Sequence, residues 1–271
     1  GVTSRLPALL GDLHVHATAG SSRRRALELL VHACNAAAFV LARLGHPGDG
    51  FVAARLGHEA GHQLDDPVLQ GVADFAFAHA AGGGGGAYRR MLSVAEKASD
   101  RLAGRLAQVP ALEAYGMHQL TAASACLGVS DEERAREHLA EARSAAERTG
   151  ELRGWSFFGP TNVGFWQTSM EVDTGNYGRA VEIARTIHPN TVESPSRHVA
   201  FYIDLARALA KARGRQPEAV RVLLTAERIA PQRARSATQA REVARHLLNS
   251  ARREAGGSQL RGLCERMGVP V

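Results

Sequence analysis

The chain has 271 residues, of which 45% are hydrophobic and only 5% aromatic, and a net charge of +6. Its core must therefore be built mainly from Ala, Leu and Val, which suits closely packed helices better than a sheet, and the length allows one large domain or two small ones. Cys34, Cys126 and Cys264 are far apart and set among small apolar residues, which argues against a disulfide framework and for reduced thiols packed as small apolar groups. With no apolar run of membrane-spanning length and no signal-peptide pattern, the expected location is the cytoplasm.

Residues 1–22 read as an N-terminal segment or linker helix, in which His14 and His16 would lie about 200° apart and so cannot share a metal. From residue 23 the pattern is one of paired helices. "RRRALELLVHACNAAAFVLARLG" has apolar residues at helical period and stops at Gly45, with Pro47 beyond. "GFVAARLGHEAG" follows, with Ala53 and Ala60 seven residues apart. "DPVLQGVADFAFAHAA" opens on Asp66 as N-cap, followed by Pro67. The five glycines at 82–86 read as a flexible turn, since a phosphate loop would need Lys then Ser or Thr where Ala87, Tyr88 and Arg89 stand.

"AYRRMLSVAEKAS" places Met91 and Ala98 in the seven-residue relation, and "VPALEAYGMHQLTAASACLG" runs to a stop at Gly128. The next helix begins at Ser130 with Glu133 three residues on, a capping-box pattern, and carries Ala135 and Ala142. "GPTNVGFWQTSMEVDTG" ends in Gly175 and leads to Ala180 and Ile187, and "SPSRHVAFYIDLARALAKARG" ends in Gly214 and leads to Ala219 and Ala226, closed by Pro231. The anchors at 53, 91, 135, 180 and 219 thus recur every 38 to 45 residues. Five helix pairs span 23–231, and the helices of 232–271 cap the open end of the stack. From Lys211 onward the local charge balance is +8, against about −2 before it. That basic end, with Arg252, Arg253 and Arg261, suits either a partner contact or a solvated helical face.

"EAVRVLLTAERIAP", with its Ala, Ala, Pro rhythm, resembles the second helix of a tetratricopeptide repeat. "LLVHACNAAAFVLARLGHPG", "FFGPTNVGFW", "AERIAPQ" and "ARREAGGSQLRGLCERMGV" together resemble the region that follows the DNA-binding domain in actinobacterial helix-turn-helix regulators of the XRE type. The likeness covers about residues 6–269. It implies an all-α, tetratricopeptide-like α-solenoid, a right-handed superhelix of antiparallel helix pairs. It further implies a non-enzymatic role in ligand sensing, or in protein or peptide binding, for a bacterial transcriptional regulator. No helix-turn-helix is recognisable in this chain, so DNA would be met only through an upstream domain. A stand-alone adaptor or dimerisation scaffold, possibly a homodimer, is the alternative.

Such a stack binds its peptide, protein or small-molecule effector along the concave face lined by first helices. Counting back from each anchor gives inner rows of Asn35, Ala73, Met117, Asn162 and Phe201; of Ala38, Ala76, Leu120, Phe165 and Asp204; and of Ala42, Ala80, Ser124, Ser169 and Ala208. Trp166 lies on the same helix as Asn162. Asn35 and Asn162 would either grip a peptide backbone or lock adjacent helices by hydrogen bonds. In "WSFFGPTN", Trp155, Phe157 and Phe158 gather at a helix start where Thr161 and Asn162 can cap or contact, as a ligand-binding elbow or a hydrophobic junction between repeats.

"HEAGH", His58 to His62, has the spacing of a zinc peptidase, the remote alternative. With Ala53 set at zero on a helical wheel, Ala60 and Leu64 fall within about 20° of it, whereas His58 lies near 140° and His62 near 180°. The packing face is read as Ala53, Leu56, Ala60 and Leu64, which turns both histidines outward. The extended motif's glycine and third histidine are also missing, since Asp65 and Val68 stand in their places, and the next glutamate is Glu96. No metal or cofactor and no catalytic residue is therefore assigned. His58 and His62 should be accessible and Ala60 buried.

Overall fold

The computed structural model describes residues 2–81, 87–251 and 257–270, and every regular element among them is helical. The glycine run at 82–86 and Arg252 and Arg253 lie outside the described residues. The chain divides into two compact units, Gly1–Gly159 and Pro160–Val271.

The first unit holds α1 (Val2–His16), α2 (Arg23–Arg43), α3 (Pro47–His62), α4 (Pro67–Ala81), α5 (Ala87–Leu102), α6 (Val109–Gly128) and α7 (Glu132–Thr149). Each packs on its neighbour in sequence, and α2 also meets α4, and α4 meets α6. Prolines stand in the first turn of α3, α4 and α6, where the missing N–H costs nothing. Asp66 caps α4 as expected, its Oδ1 accepting from the N–H groups of Val68 and Leu69 at 2.9 and 3.2 Å. α2 is long and apolar enough to cross a membrane, contrary to the sequence expectation, but Leu27, Leu30, Val31, Cys34 and Ala37 are buried within the unit.

The start of α7 differs by one residue from the capping box. Asp131 is the N-cap, accepting from the Arg134 N–H at 3.2 Å, while Ser130 takes a left-handed backbone with φ of 62°. The reason lies at Gly128. It is the last residue of α6 and not a left-handed stop, and a Cβ there would sit 2.3 Å from the Tyr88 ring of α5. Gly128 serves close packing, so the left-handed turn falls on Ser130. Gly45, at φ of 90°, does adopt the left-handed conformation that ends α2.

After α7 the chain folds back over the unit. The Leu152 N–H donates to the Phe158 carbonyl at 2.8 Å, and the Ser156 hydroxyl donates to Glu113 Oε1 at 2.5 Å. Phe158 is fully buried above Gly116 of α6, and the Trp155 ring meets the edge of Phe75 at 5.3 Å. Trp155 and Phe158 therefore pack on α4 and α6 of the first unit.

The second unit contains α8 (Pro160–Asp173), α9 (Tyr177–Thr186), α10 (Pro195–Lys211), α11 (Gln216–Ile229), α12 (Pro231–Ser236), α13 (Thr238–Ala251) and α14 (Ser258–Arg266). α10 is its hub, touching α8, α9, α11, α12 and α13. Val199, Ile203, Ala206 and Leu209 of α10 pack with Leu223 of α11 and Leu247 of α13. Part of the basic end has a structural use. Glu227, buried on α11, accepts from Arg235 Nε at 2.9 Å and from Arg266 Nε and Nη2 at 2.7 Å each, which ties α12 and α14 to the core.

The anchors are buried as the repeat rhythm requires. Ala53, Ala60, Met91, Ala98, Ala135, Ala142, Ala180, Ala219 and Ala226 are each at most 8% exposed. Ile187 departs from the rule. α9 ends at Thr186, leaving Ile187 half-buried in extended backbone just beyond the helix. All three cysteines are free and buried, and burial pushes the Cys34 thiol up to about 11. A thiol-reactive aromatic disulfide is therefore expected to leave the native protein unmodified over minutes and to react with all three cysteines only after denaturant is added; prompt reaction of one thiol would place it at the surface.

Candidate functional site

The inner-row residues fall into two groups. In the first unit, Met117 and Leu120 are completely buried in α6, so they fill the interior and line no open groove. Asn35, buried on α2, donates from Nδ2 to the Val72 carbonyl of α4 at 2.8 Å. His118 of α6 bonds through Nε2 to the adjacent Gly71 carbonyl at 2.8 Å. Two buried polar side chains, from α2 and from α6, thus clamp consecutive carbonyls of the helix between them. That arrangement is the helix-locking role of Asn35.

In the second unit the rows meet across the α8–α10 contact. The rings of Phe165 and Phe201, both buried, lie 4.8 Å apart. Asn162, buried, accepts from Arg197 Nη1 at 3.0 Å. Ser169 hydrogen-bonds Asp204, which also accepts from Arg207 Nη1 at 2.8 Å; burial raises the Asp204 carboxyl above its ordinary range in spite of Arg207. Arg207 reaches on to Asp173 at 2.8 Å. Trp166, Ser169 and Asp204 remain partly exposed beside this contact.

Among the described residues, a cluster of metal-ligating side chains forms at "HEAGH". Asp74 of α4, only 2% exposed, presents Oδ1 to both histidines, accepting from His58 Nδ1 at 2.7 Å and from His62 Nε2 at 3.0 Å. Its Oδ2 is paired with the Arg101 guanidinium of α5. One donor atom from each of His58, His62 and Asp74 lies within 4.8 Å of the others. The His58 ring stacks on Phe77 of α4 at 4.4 Å and 21°, which fixes its plane. Burial lowers the His58 pKa, aided by the charge of Arg101; burial, then His58 and Arg101, bring His62 down to about 4. Both imidazoles are neutral at pH 7, the form in which imidazole binds metal.

This corrects the outward reading of the histidines. Ala60 is buried as expected, and the side chains of His58 and His62 keep 30% and 35% exposure, but both turn toward α4 and not freely into water. The buried face of α3 is centred away from Leu56 and nearer to His58. α3 is wedged between α2 and α4, and its thinnest points are glycines: a Cβ on Gly57 would lie 2.8 Å from Cys34 Cβ, and one on Gly61 would lie 2.6 Å from Ala73 Cβ. With Ala54, Gly57 and Gly61 inside, the buried arc runs to about 100° from Ala53, close beside His58. Leu56, assigned to the packing face, lies beyond the other edge of that arc and is 41% exposed. Glu59, the residue a peptidase would use as base, is exposed and held by Arg55 Nε at 2.8 Å.

Asp74 and Arg101 stand at no motif spacing from the histidine pair and come from the two following helices, so spacing alone does not reveal them. The signal was present: Asp74 is the one acidic residue in the apolar helix "PVLQGVADFAFAHAA", and a lone carboxylate there needs partners. No protein-family model matches the chain, and no characterised protein matches it in sequence.

Proposed function

We propose that this chain is a tetratricopeptide-like helical-repeat region that binds a peptide, protein or small-molecule effector for a cytoplasmic transcriptional regulator, meeting DNA only through a domain attached upstream. The observation that carries the reading is the burial of anchor pairs at seven-residue spacing on four of the five second helices, each of them paired with the helix before it. The two first helices of the second unit support it further. On α8 and α10, Trp166, Ser169 and Asp204 combine an apolar ring, a hydroxyl and a carboxyl at one partly exposed edge, a set able to take both the side chains and the backbone of an extended peptide.

The test is selection of displayed linear peptides on the purified protein, with binding then measured on a Trp166→Ala, Ser169→Ala double variant whose fold is checked by circular dichroism. Selected peptides are expected to bind the variant at least tenfold more weakly. Peptides that bind both proteins equally, or a selection that yields no binder, would remove this edge as the binding surface.

A further inference from the structure

The geometry points to a metal site: we propose that His58, His62 and Asp74 bind one divalent transition-metal ion of the zinc class. The donors come from consecutive helices, which fold them together. His58 and His62 are four apart on α3 and share a face, and Asp74 reaches them from α4. The carboxylate oxygen already stands 2.7 and 3.0 Å from the two ring nitrogens. Donors around a tetrahedral zinc with bonds of about 2.1 Å stand roughly 3.4 Å apart, so Oδ1 needs to part from each nitrogen by well under 1 Å to admit an ion, and the two nitrogens stand within 4.8 Å of each other.

Charge neutralisation of a buried carboxylate explains Arg101 alone; it does not require two imidazoles to converge on the other oxygen. Arg101 instead holds Asp74 from behind, with Oδ1 turned to the histidines, and Phe77 fixes the plane of His58. Partners that orient a ligand in this way are what a metal site needs around it. The ligand set also selects the ion. Two imidazole nitrogens and one oxygen suit zinc, cobalt, nickel or copper, whereas calcium and magnesium require oxygen donors. Because Arg101 balances the Asp74 charge, the cluster offers hard cations no net negative field. Three protein donors with both histidines partly exposed leave room for water or a donor from a partner in the remaining position. Glu59 is turned to Arg55, so the proposal is a binding site and not a hydrolytic centre.

The test uses the protein without a histidine tag, stripped with chelator, and titrated with zinc chloride by calorimetry and with cobalt(II) by visible absorption at neutral pH. One ion per chain is expected, with cobalt d–d bands of a four- or five-coordinate nitrogen and oxygen site. His58→Ala and His62→Ala, both at partly exposed positions, are each expected to weaken binding at least tenfold while keeping the helical circular dichroism of the parent. A His14→Ala, His16→Ala double variant is expected to keep the parent's affinity. Absence of binding at millimolar metal, or equal affinity in the parent and both site variants, would overturn the proposal.

Discussion

Phe158→Ala is expected to lower the stability of the protein by about 3–5 kcal/mol in urea unfolding, since this side chain is fully buried and its removal leaves a cavity that α6 cannot close. The contact with Gly116 gives the prediction a second edge. A Cβ at Gly116 would lie 2.0 Å from Phe158 Cζ, so Gly116→Ala alone is expected to destabilise by about 1–3 kcal/mol through overpacking. In the Phe158→Ala background the same methyl enters vacated space, and alanine is the better helix former by about 1 kcal/mol, so the sign should reverse. Equal cost of Gly116→Ala in both backgrounds would show that the ring does not press on this helix.

The second large effect is a loss of stability on acidification. His118 is completely buried in α6; burial lowers its pKa to about 4, partly opposed by the bond to the Gly71 carbonyl and helped slightly by Arg101. Its Nδ1 has no hydrogen-bond partner, so a proton placed there would be buried and unsatisfied. The folded pKa lies below the unfolded value near 6.5, so the unfolded chain takes up the proton first as pH falls. The stabilisation is fully present above pH 6.5 and is lost between there and pH 4, amounting to roughly 3 kcal/mol at about 1.4 kcal/mol per unit. His58 and His62 add in the same direction. Unfolding of the parent and of His118→Gln, compared at pH 7.5, 5.5 and 4.5, checks this. The variant should show the shallower decline, and parallel curves would remove His118 as the cause.

Much of the fold could be read from periodicity. Small residues seven apart marked the second helices, and prolines with glycines marked most ends, because those signals are local and steric. Where reading failed, a nonlocal contact had taken over a local cue. Gly128 looked like a helix stop but is reserved for the Tyr88 ring, and the turn moved to Ser130. Phe158 stands just before a helix start, and its ring is taken up by Gly116 of α6, far away in sequence. The histidine pair was found by spacing, yet its direction depended on which neighbours press on α3, and its third member depended on α4. Spacing along one helix carries no information about a carboxylate delivered by another.

The glycines that let α3 lie so close to its neighbours also shape how the cluster comes into being. Gly50, Gly57 and Gly61 make those approaches and Gly48 stands free, so four of the sixteen residues of α3 are glycines, and each costs a free helix about 1 kcal/mol relative to alanine. Alone, this segment would be mostly coil, and His58 and His62 would not stand on a common face. The pair exists as a pair only after α2 and α4 have closed on either side, and the same closure brings Asp74 to it. Any ion held there would accordingly recognise the assembled helices and not the peptide, and its binding energy would be added to the cohesion of those helices.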